Sequence, residues 1–111
     1  MADDGLRHFE QVDMRLGRIV AVEDFPEARK PAFKLTIDLG EHGIRRSSAQ
    51  LTVHYTKAQL LGRLVIAVVS LPPRRVAGFK SEVLVLGVPD ADGQVILIEP
   101  ERDAPIGGRV F

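Results

Sequence analysis

Residues 64–88 have the sequence LVIAVVSLPPRRVAGFKSEVLVLGV, in which a basic segment separates two apolar runs. The runs Leu64–Val69 and Val83–Val88 are short, rich in Val, Leu and Ile, and bounded by Pro or Gly, which is typical of buried β-strands. The pair Pro72-Pro73 has no backbone N–H and so cannot continue a strand ladder, while Gly78 permits a bend. This pattern predicts a stiff, cationic, solvent-facing loop between two core strands, which is a common location for a binding site.

The chain has 111 residues, no cysteine and a formal net charge of zero. This length is enough for one hydrophobic core, so we predict a single domain over residues 1–111. The lack of cysteine excludes a disulfide framework and thiol catalysis. The start, Met1–Gly5, has no signal-peptide pattern, and no apolar run approaches the ~20 residues of a membrane span. We therefore expect a soluble, cytoplasmic protein without membrane insertion.

The zero net charge hides an uneven distribution of charge along the chain. Residues 29–80 carry ten Lys and Arg against two acidic residues, whereas the segments 1–28 and 81–111 each carry four more acidic than basic residues. A basic surface attracts polyanions even on a neutral protein, because screening limits electrostatic interactions to roughly 10 Å. The alternative is that the acidic terminal segments lie beside the basic centre and neutralise it.

Three further regions show strand patterns. Val12–Leu16 alternates apolar and polar residues, and Gly17 interrupts the alternation before Ile19–Val22. A β-bulge at Gly17 is therefore predicted to bend one long strand. Phe33–Leu39 has the clearest alternation, which predicts that its odd-numbered residues face the core. Ser47–Thr52 is polar enough for a strand that is exposed on one side.

Two short helices are predicted, Leu6–Gln11 and Thr56–Gly62, the second with Thr56 as its N-cap and Gly62 at its end. A turn at Pro89–Gly93 leads into a hairpin strand, and the C-terminal tail ends in apolar residues that would dock on the body or on a partner. The fold class is therefore all-β: a five-stranded oligonucleotide-binding (OB) fold barrel with N- and C-terminal extensions. One helix is N-terminal, and the other lies between strands 3 and 4. The alternative is another small β-barrel or a sandwich.

The sequence contains no evident catalytic constellation. His8, His42 and His54 are far apart and lack the spacing of metal ligands. Gly107-Gly108 is not followed by the Lys and Ser or Thr of a phosphate-binding loop. We therefore predict a protein that is not an enzyme and that needs no metal or other cofactor.

Basic residues recur on the predicted connections and outward strand positions, where Arg forks would grip phosphates. The candidate nucleic-acid-binding residues are Arg29, Lys30, Lys34, Arg45, Arg46, Arg74, Arg75 and Lys80. Phe33 and Phe79 would stack on bases if they were exposed, but the alternation places Phe33 in the core. Five Phe, one Tyr and no Trp are few stacking platforms, so structured RNA recognised by its shape is favoured over single strands.

A second binding mode involves apolar peptide segments. Phe79 follows a glycine in a polar loop, and with Leu71 and the apolar C terminus it would form a groove for such segments. The candidate peptide-binding residues are Leu71 and Phe79, with Glu82 at the end of the basic loop.

Four ordered motifs resemble the CsaA proteins of the tRNA-binding-domain superfamily, which also includes the C-terminal extension of many methionyl-tRNA synthetases. The motifs are Phe9–Ile19, Ala28–Pro31, Ser47–Gln50 and Pro72–Gly87. The resemblance implies an OB-fold homodimer in the bacterial cytoplasm with chaperone-like activity in protein export. It also implies contact with unfolded preproteins and the SecA translocase, and tRNA binding.

Individual motif positions transfer unevenly to this chain. Relatives that bind tRNA have Asn before the basic loop and Ser-x-Gly-Met after it. Arg75, Gly78 and Ser81 keep this pattern, which adds Ser81 to the nucleic-acid-binding candidates. Ser70 and Val83-Leu84 depart from it, and the second departure agrees with the CsaA branch. The leading hypothesis is a CsaA-like homodimeric export chaperone that retains tRNA binding, and the alternative is a dedicated tRNA-binding module.

Overall fold

The computed structural model describes residues 4–111, so the first three residues of the acidic start lie outside the described part of the chain. Strands β1 to β9 span Met14–Asp24, Phe33–Asp38, Ile44–Ala49, Leu64–Val68, Arg74–Val76, Phe79–Ser81, Leu84–Val85, Gly87–Pro89 and Val95–Leu97. Helices α1 and α2 span Asp4–Gln11 and Lys57–Leu60, and a single 3-10 turn covers Gly40–His42.

Five of the strands form an antiparallel sheet in the order β3-β2-β1-β4-β7, which curls into a nearly closed barrel. The other four strands form two hairpins, β5 with β6 and β8 with β9. Helix α1 precedes β1, and α2 lies between β3 and β4. The predicted all-β OB barrel with these two short helices is confirmed. Within residues 4–111, no helix has the length and apolar character needed to cross a membrane.

The core forms where the predicted alternation of β2 meets β1 and β4. Phe33, Leu35, Ile37 and Leu39 are all buried, as the sequence predicts, and Val65 of β4 is fully buried against them. Each large aliphatic side chain that is fully buried contributes roughly 1.5–3 kcal/mol to folding.

The bulge in β1 lies elsewhere than predicted. Gly17 pairs in regular register with Val65 of β4, while the register of β1 against β2 shifts between Ile19 and Ala21. A Cβ on Gly17 would lie 2.6 Å from Cγ2 of Ile37. Glycine at position 17 therefore allows close packing of two strands, because a side chain there would displace the core.

The predicted buried strand over residues 83–88 is wrong in part. Val83 is buried, but the segment divides into β7, which pairs with β4, and β8, which pairs with β9. Leu84 and Val88 are 50% and 49% exposed. The apolar run changes partner between β7 and β8 because two different strands lie beside it, which composition does not reveal.

Hydrogen bonds close the barrel between β3 and Ser81-Glu82, at the end of β6, and we call this contact the seam. The Arg46 backbone N–H donates to Oε1 of Glu82 at 3.0 Å, and the Glu82 N–H donates to the Arg46 carbonyl at 2.8 Å. The Ser48 N–H donates to Oγ of Ser81 at 3.1 Å. Two backbone amides at the edge of β3 thus find their hydrogen-bond acceptors in side chains.

The strand predicted over residues 47–52 is shifted toward the N terminus, because β3 spans Ile44–Ala49.

The two ends of α2 follow the predicted signals. Oγ1 of Thr56 accepts from the Gln59 N–H, and the Gln59 side chain accepts from the Thr56 N–H, which completes a capping box. Gly62, just past the end of α2, has a φ of 85°.

The C-terminal tail docks on β1. The N–H and carbonyl of Leu16 bond to Gly108 and Gly107, and the Val110 N–H donates to the Met14 carbonyl. The predicted docking of the tail on the body is confirmed for this stretch, although the ring of Phe111 itself is fully exposed.

The turn between β8 and β9 is organised by Asp90. Its Oδ1 accepts from the Asp92 and Gln94 backbone N–H groups, and its Oδ2 lies 2.6 Å from Nε2 of His54. The hydrogen bond from His54, followed by that from the Gln94 backbone, lowers the pKa of Asp90 below its ordinary value. The carboxylate therefore links the hairpin turn to the connection between β3 and α2.

Replacing Asp90 by Asn should destabilise the protein in a pH-dependent way. Because the pKa of Asp90 is lowered by folding, its stabilisation is complete above the ordinary aspartate pKa of about 3.9 and is lost as the pH falls through the folded value. The difference in Tm between wild type and Asp90→Asn should be largest near pH 7 and shrink below about pH 4. Asp92→Asn in the same turn is the control. A difference independent of pH, measured by thermal circular dichroism, would contradict this role.

Candidate binding site: a groove beside the basic hairpin

The predicted basic loop is a β-hairpin. Its two strands meet at Ala77-Gly78, where φ is 48° and 82°. Two successive positive φ values are the requirement of a type I′ turn, whose twist matches that of the flanking strands. Strand β4 ends at Val68, four residues before Pro72, and β5 begins at Arg74, directly after Pro73.

The two faces of this hairpin carry different chemistry. Arg74 is paired with Ser81, and Arg75 with Lys80. Because side chains alternate along a strand, each cross-strand pair faces the side opposite to its neighbour. The face with Arg74 and Ser81 borders a groove. The face with Arg75 and Lys80 points to solvent, and we call it the outer face.

The groove has a volume of about 560 Å³, within the roughly 300–1,000 Å³ typical of ligand sites. Three of the four motifs from the sequence contribute to it: Ala28–Pro31, Ser47–Gln50 and Pro72–Gly87. These stretches are distant in the chain. The bonds between β3 and Ser81-Glu82 join the second stretch to the third, and the pairing of Phe33 with Ala49 places the first stretch beside them.

The floor of the groove is apolar. Leu51, Val83 and Leu97 are buried and contribute to both the lining and the core. Ala32 and Ala49 also line it, and their small side chains leave room above the floor. An exposed apolar cavity of this kind favours an apolar ligand group.

The rim of the groove is cationic. Arg29, Lys30 and Arg74 line it and are exposed. Among residues 4–111, none of the three forms an ion pair with a carboxylate. Glu82 is the one acidic residue of the lining within the described chain, and its carboxylate is hydrogen-bonded to the Arg46 backbone.

The outer face carries two like charges directly opposite each other. Arg75 and Lys80 are cross-strand partners, both are exposed, and neither forms an ion pair with any carboxylate of the described chain. Directly opposed like charges destabilise a hairpin. Nη1 of Arg75 bonds to the Gly78 carbonyl at 3.2 Å, which fixes the guanidinium beside the turn.

A third set of predicted cations surrounds Phe79, which lies outside the groove. The Phe79 ring meets the buried Phe25 ring edge-on at 5.5 Å. Lys34 Nζ lies 5.4 Å from the Phe79 centroid and Arg46 Cζ lies 4.7 Å from it. Arg46 also pairs with Glu23 at 2.5 Å. Phe79 therefore anchors the hairpin to the barrel through aromatic and cation–π contacts.

The candidates from the sequence thus separate into several environments. Arg29, Lys30 and Arg74 lie on the rim, Arg75 and Lys80 on the outer face, and Lys34 and Arg46 around Phe79. Arg45 is half-buried on β3 without an ion pair among residues 4–111. Ser81 is buried and serves the seam.

The peptide candidates also separate. Leu71 and Glu82 line the groove, whereas Phe79 and the apolar C-terminal residue Phe111 do not. The groove predicted between Phe79, Leu71 and the C terminus is therefore replaced by one between Leu71 and the apolar floor. The physical reason is that the Phe79 ring packs on Phe25 and the tail runs along β1.

Neutralisation of the basic segment by the acidic terminal segments, the alternative that the sequence left open, is partial. Arg46 pairs with Glu23, and Lys57 pairs with Asp24 at 2.9 Å. The rim and the outer face keep their positive charge, because none of their five cations forms an ion pair within residues 4–111.

The sequence analysis did not predict the apolar floor of the groove. Ala32, Ala49, Leu51 and Leu97 carry small or aliphatic side chains, and nothing in the sequence around them shows that the barrel leaves them open to a cavity. The signal present in the sequence was the position of three alanines, Ala28, Ala32 and Ala49, in or beside the family motifs.

Metal-ligand chemistry has no support in the described residues. No group of three or more His, Cys, Asp and Glu side chains in residues 4–111 could hold a metal ion.

Comparison with known proteins identifies the family. The family described as "Putative tRNA binding domain" matches residues 14–109. The chaperone CsaA of Bacillus anthracis has 48% sequence identity and a TM-score of 0.89, with 96% of each chain covered. The chain belongs to this tRNA-binding-domain family and is of the CsaA type. The CsaA chaperone of Picrophilus torridus is also similar, at 44% identity and a TM-score of 0.89, with 96% of this chain and 97% of that one covered.

Curated relatives include much longer enzymes. Methionine--tRNA ligase 1 of Sorangium cellulosum is 41% identical over 102 residues, which are 92% of this chain and 14% of the ligase. This CsaA-type chain spans about one-seventh of the length of the curated ligases it matches. The similarity therefore concerns a binding domain appended to those enzymes, and the family itself is not a catalytic one.

Replacing Phe79 by Ser should destabilise the hairpin. The half-buried ring would lose its contacts with Phe25, Lys34 and Arg46, so we expect a loss of about 1–3 kcal/mol, less than the ~3–5 kcal/mol of a fully buried aromatic. Leu71→Ser, on the exposed lining of the groove, should change stability by less than about 0.5 kcal/mol. Urea unfolding measures both, and equal small effects would show that Phe79 is not an anchor.

Proposed function

We propose that this protein is a CsaA-like chaperone for protein export, which holds unfolded segments of preproteins in the groove and binds tRNA at the outer face of the hairpin. The observation that carries the proposal is the convergence of three family motifs on one apolar groove. The similarity to two CsaA chaperones over nearly the whole chain supports it. The protein would act in the cytoplasm by binding, without a catalytic step, and would pass its preproteins to the SecA translocase.

The groove suits an unfolded segment because it combines an apolar floor with exposed apolar sides. Leu71 and Leu84 are 45% and 50% exposed at its edge. Apolar side chains of an unfolded chain would leave water on entering it, which gains roughly 25 cal/mol per Å² of buried apolar surface. The fixed scaffold limits the entropy cost to the ligand.

The outer face suits RNA because, within residues 4–111, neither of its two cations forms an ion pair with a carboxylate. Arg75 and Lys80 repel each other as cross-strand neighbours, and a phosphate between them would relieve that repulsion. The family match favours tRNA as the source of that phosphate. A dedicated tRNA-binding module, with no chaperone role, is the second candidate function, and it is favoured by these two opposed cations.

We further propose that the protein is a homodimer through helix α1. This helix has eight residues, none of which is buried, and it exposes Leu6 and Phe9. Isolated helices shorter than ~12–15 residues are marginal in water, so α1 needs a covering surface. A second copy would supply it, and two copies would place two grooves on one assembly, which raises avidity for a long unfolded chain.

Titration of labelled tRNA and of a labelled unfolded preprotein, each at about 0.05 and 0.3 M salt, tests the function. A chaperone with retained RNA affinity should bind both, and only the tRNA affinity should fall steeply with salt. Leu71→Asp should weaken preprotein binding and leave tRNA binding unchanged. Tight tRNA binding without preprotein binding would favour the dedicated RNA module, and binding of neither ligand would reject both functions.

The double variant Arg75→Ala, Lys80→Ala should weaken tRNA binding. It should also make the negative slope of log K against log salt less steep by about 1.5–2, because two phosphate contacts are lost. Lys57→Ala, Arg102→Ala is the matched control: it removes one Lys and one Arg that pair with Asp24 and Glu101. An unchanged slope in the hairpin variant would show that Arg75 and Lys80 do not contact the phosphates of the tRNA.

The double variant Leu6→Asp, Phe9→Asp should convert the dimer to a monomer, because two charges would be buried against the partner. Native mass spectrometry measures the change, and Val53→Asp on an exposed turn is the control. A wild-type monomer would refute the dimer, and a variant that stays dimeric would refute the assignment to α1.

A further inference from the structure

The distribution of charge around the groove is one-sided. Arg29 and Lys30, from the connection between β1 and β2, and Arg74, from β5, place three cations on the rim. They belong to two separate elements of the fold, so a ligand lying in the groove meets positive charge from both.

Nothing in residues 4–111 neutralises these three cations within ion-pair distance. The one acidic side chain of the described lining, Glu82, uses Oε1 to accept the Arg46 N–H at 3.0 Å as part of the seam. Its carboxylate is thus held at the wall by a structural bond. A ligand in the groove therefore experiences a net positive field above an apolar floor.

We propose that the groove selects extended polypeptide segments in which apolar side chains are flanked by Asp or Glu, and disfavours the same segments flanked by Lys or Arg. This inference rests on the proposed peptide-binding function and adds the class of segment. Apolar side chains would fill the floor over Leu51, Val83 and Leu97, while flanking carboxylates would lie at Arg29, Lys30 and Arg74. Basic flanks would be repelled by the same three groups.

Three synthetic peptides with one apolar core, Leu-Val-Phe-Leu, test this selectivity. The core is flanked on both sides by two Glu, two Gln or two Lys, and every peptide is acetylated and amidated so that side chains alone provide carboxylates. Affinity for the full-length protein is measured by isothermal titration calorimetry. We expect the order Glu, Gln, Lys from tightest to weakest. The Glu and Lys peptides should differ by about tenfold at low salt, since exposed charge pairs contribute modestly, and the ratio should shrink as salt rises.

A second Glu-flanked peptide with a free C terminus separates the two sources of carboxylate. Binding much tighter than that of the amidated peptide would show that the rim binds the C-terminal carboxylate of a chain, and it would overturn the preference for acidic flanks. Equal binding of the two supports flanking side chains.

The double variant Lys30→Gln, Arg74→Gln should reduce the ratio between the Glu and Lys peptides to about threefold or less. The control Lys57→Gln, Arg102→Gln removes the same residue types away from the rim and should keep the wild-type ratio. Circular dichroism verifies that both variants are folded, and Arg74→Gln alone provides an intermediate ratio if the double variant is not.

The outcomes distinguish this inference from the function on which it rests. Equal affinity for the three flanked peptides, or a preference for the Lys peptide, overturns the charge selectivity while leaving peptide binding intact. Failure of all the peptides to bind, with tRNA still bound, rejects the groove as a peptide site and with it the chaperone proposal. Loss of selectivity in the control variant as well would attribute it to net charge and overturn the role of the rim.

Discussion

The seam between β3 and Ser81-Glu82 is the contact on which the rest of the structure depends. At the seam, backbone amides of β3 are paired with an Oε1 and an Oγ in place of a continuous backbone ladder. Each such bond contributes about 1 kcal/mol net, and leaving the amides unpaired would cost more. Because the pairing stops at Ser48, the barrel stays open beyond it, and the core residues there become the floor of the groove.

The seam also positions the hairpin that precedes it. Ser81 ends β6, so fixing Ser81 on β3 fixes the base of the hairpin, while Phe79 fixes its tip against Phe25. A short hairpin is marginal by itself, and these two attachments hold it on the barrel. With the hairpin held in this way, strand alternation decides which cations face the groove and which face solvent. One basic segment therefore supplies two chemically different surfaces.

Much of the fold followed from local patterns. The alternation in Phe33–Leu39, the cap at Thr56 and the turn at Pro89–Gly93 each predicted the observed element, because each depends on neighbours within a few residues. The prediction failed where the cause was remote. Position 17 requires glycine because the side chain of Ile37 in β2 lies where a Cβ would be. Residues 83–88 divide into two strands because different strands lie beside the two parts of the segment.

The sequence by itself determined the class of the barrel, the position of the basic hairpin and the family motifs. Periodicity, turn residues and motif order depend only on residues near one another in the chain, so they can be read without the tertiary structure. Only the tertiary structure decided where each cation lies. Arg74 and Arg75 are neighbours with the same charge, yet one borders the groove and the other faces solvent. The groove likewise depends on contacts between distant segments. Leu51 and Leu97 are buried core residues, and only the incomplete closure of the barrel makes them part of the groove lining as well.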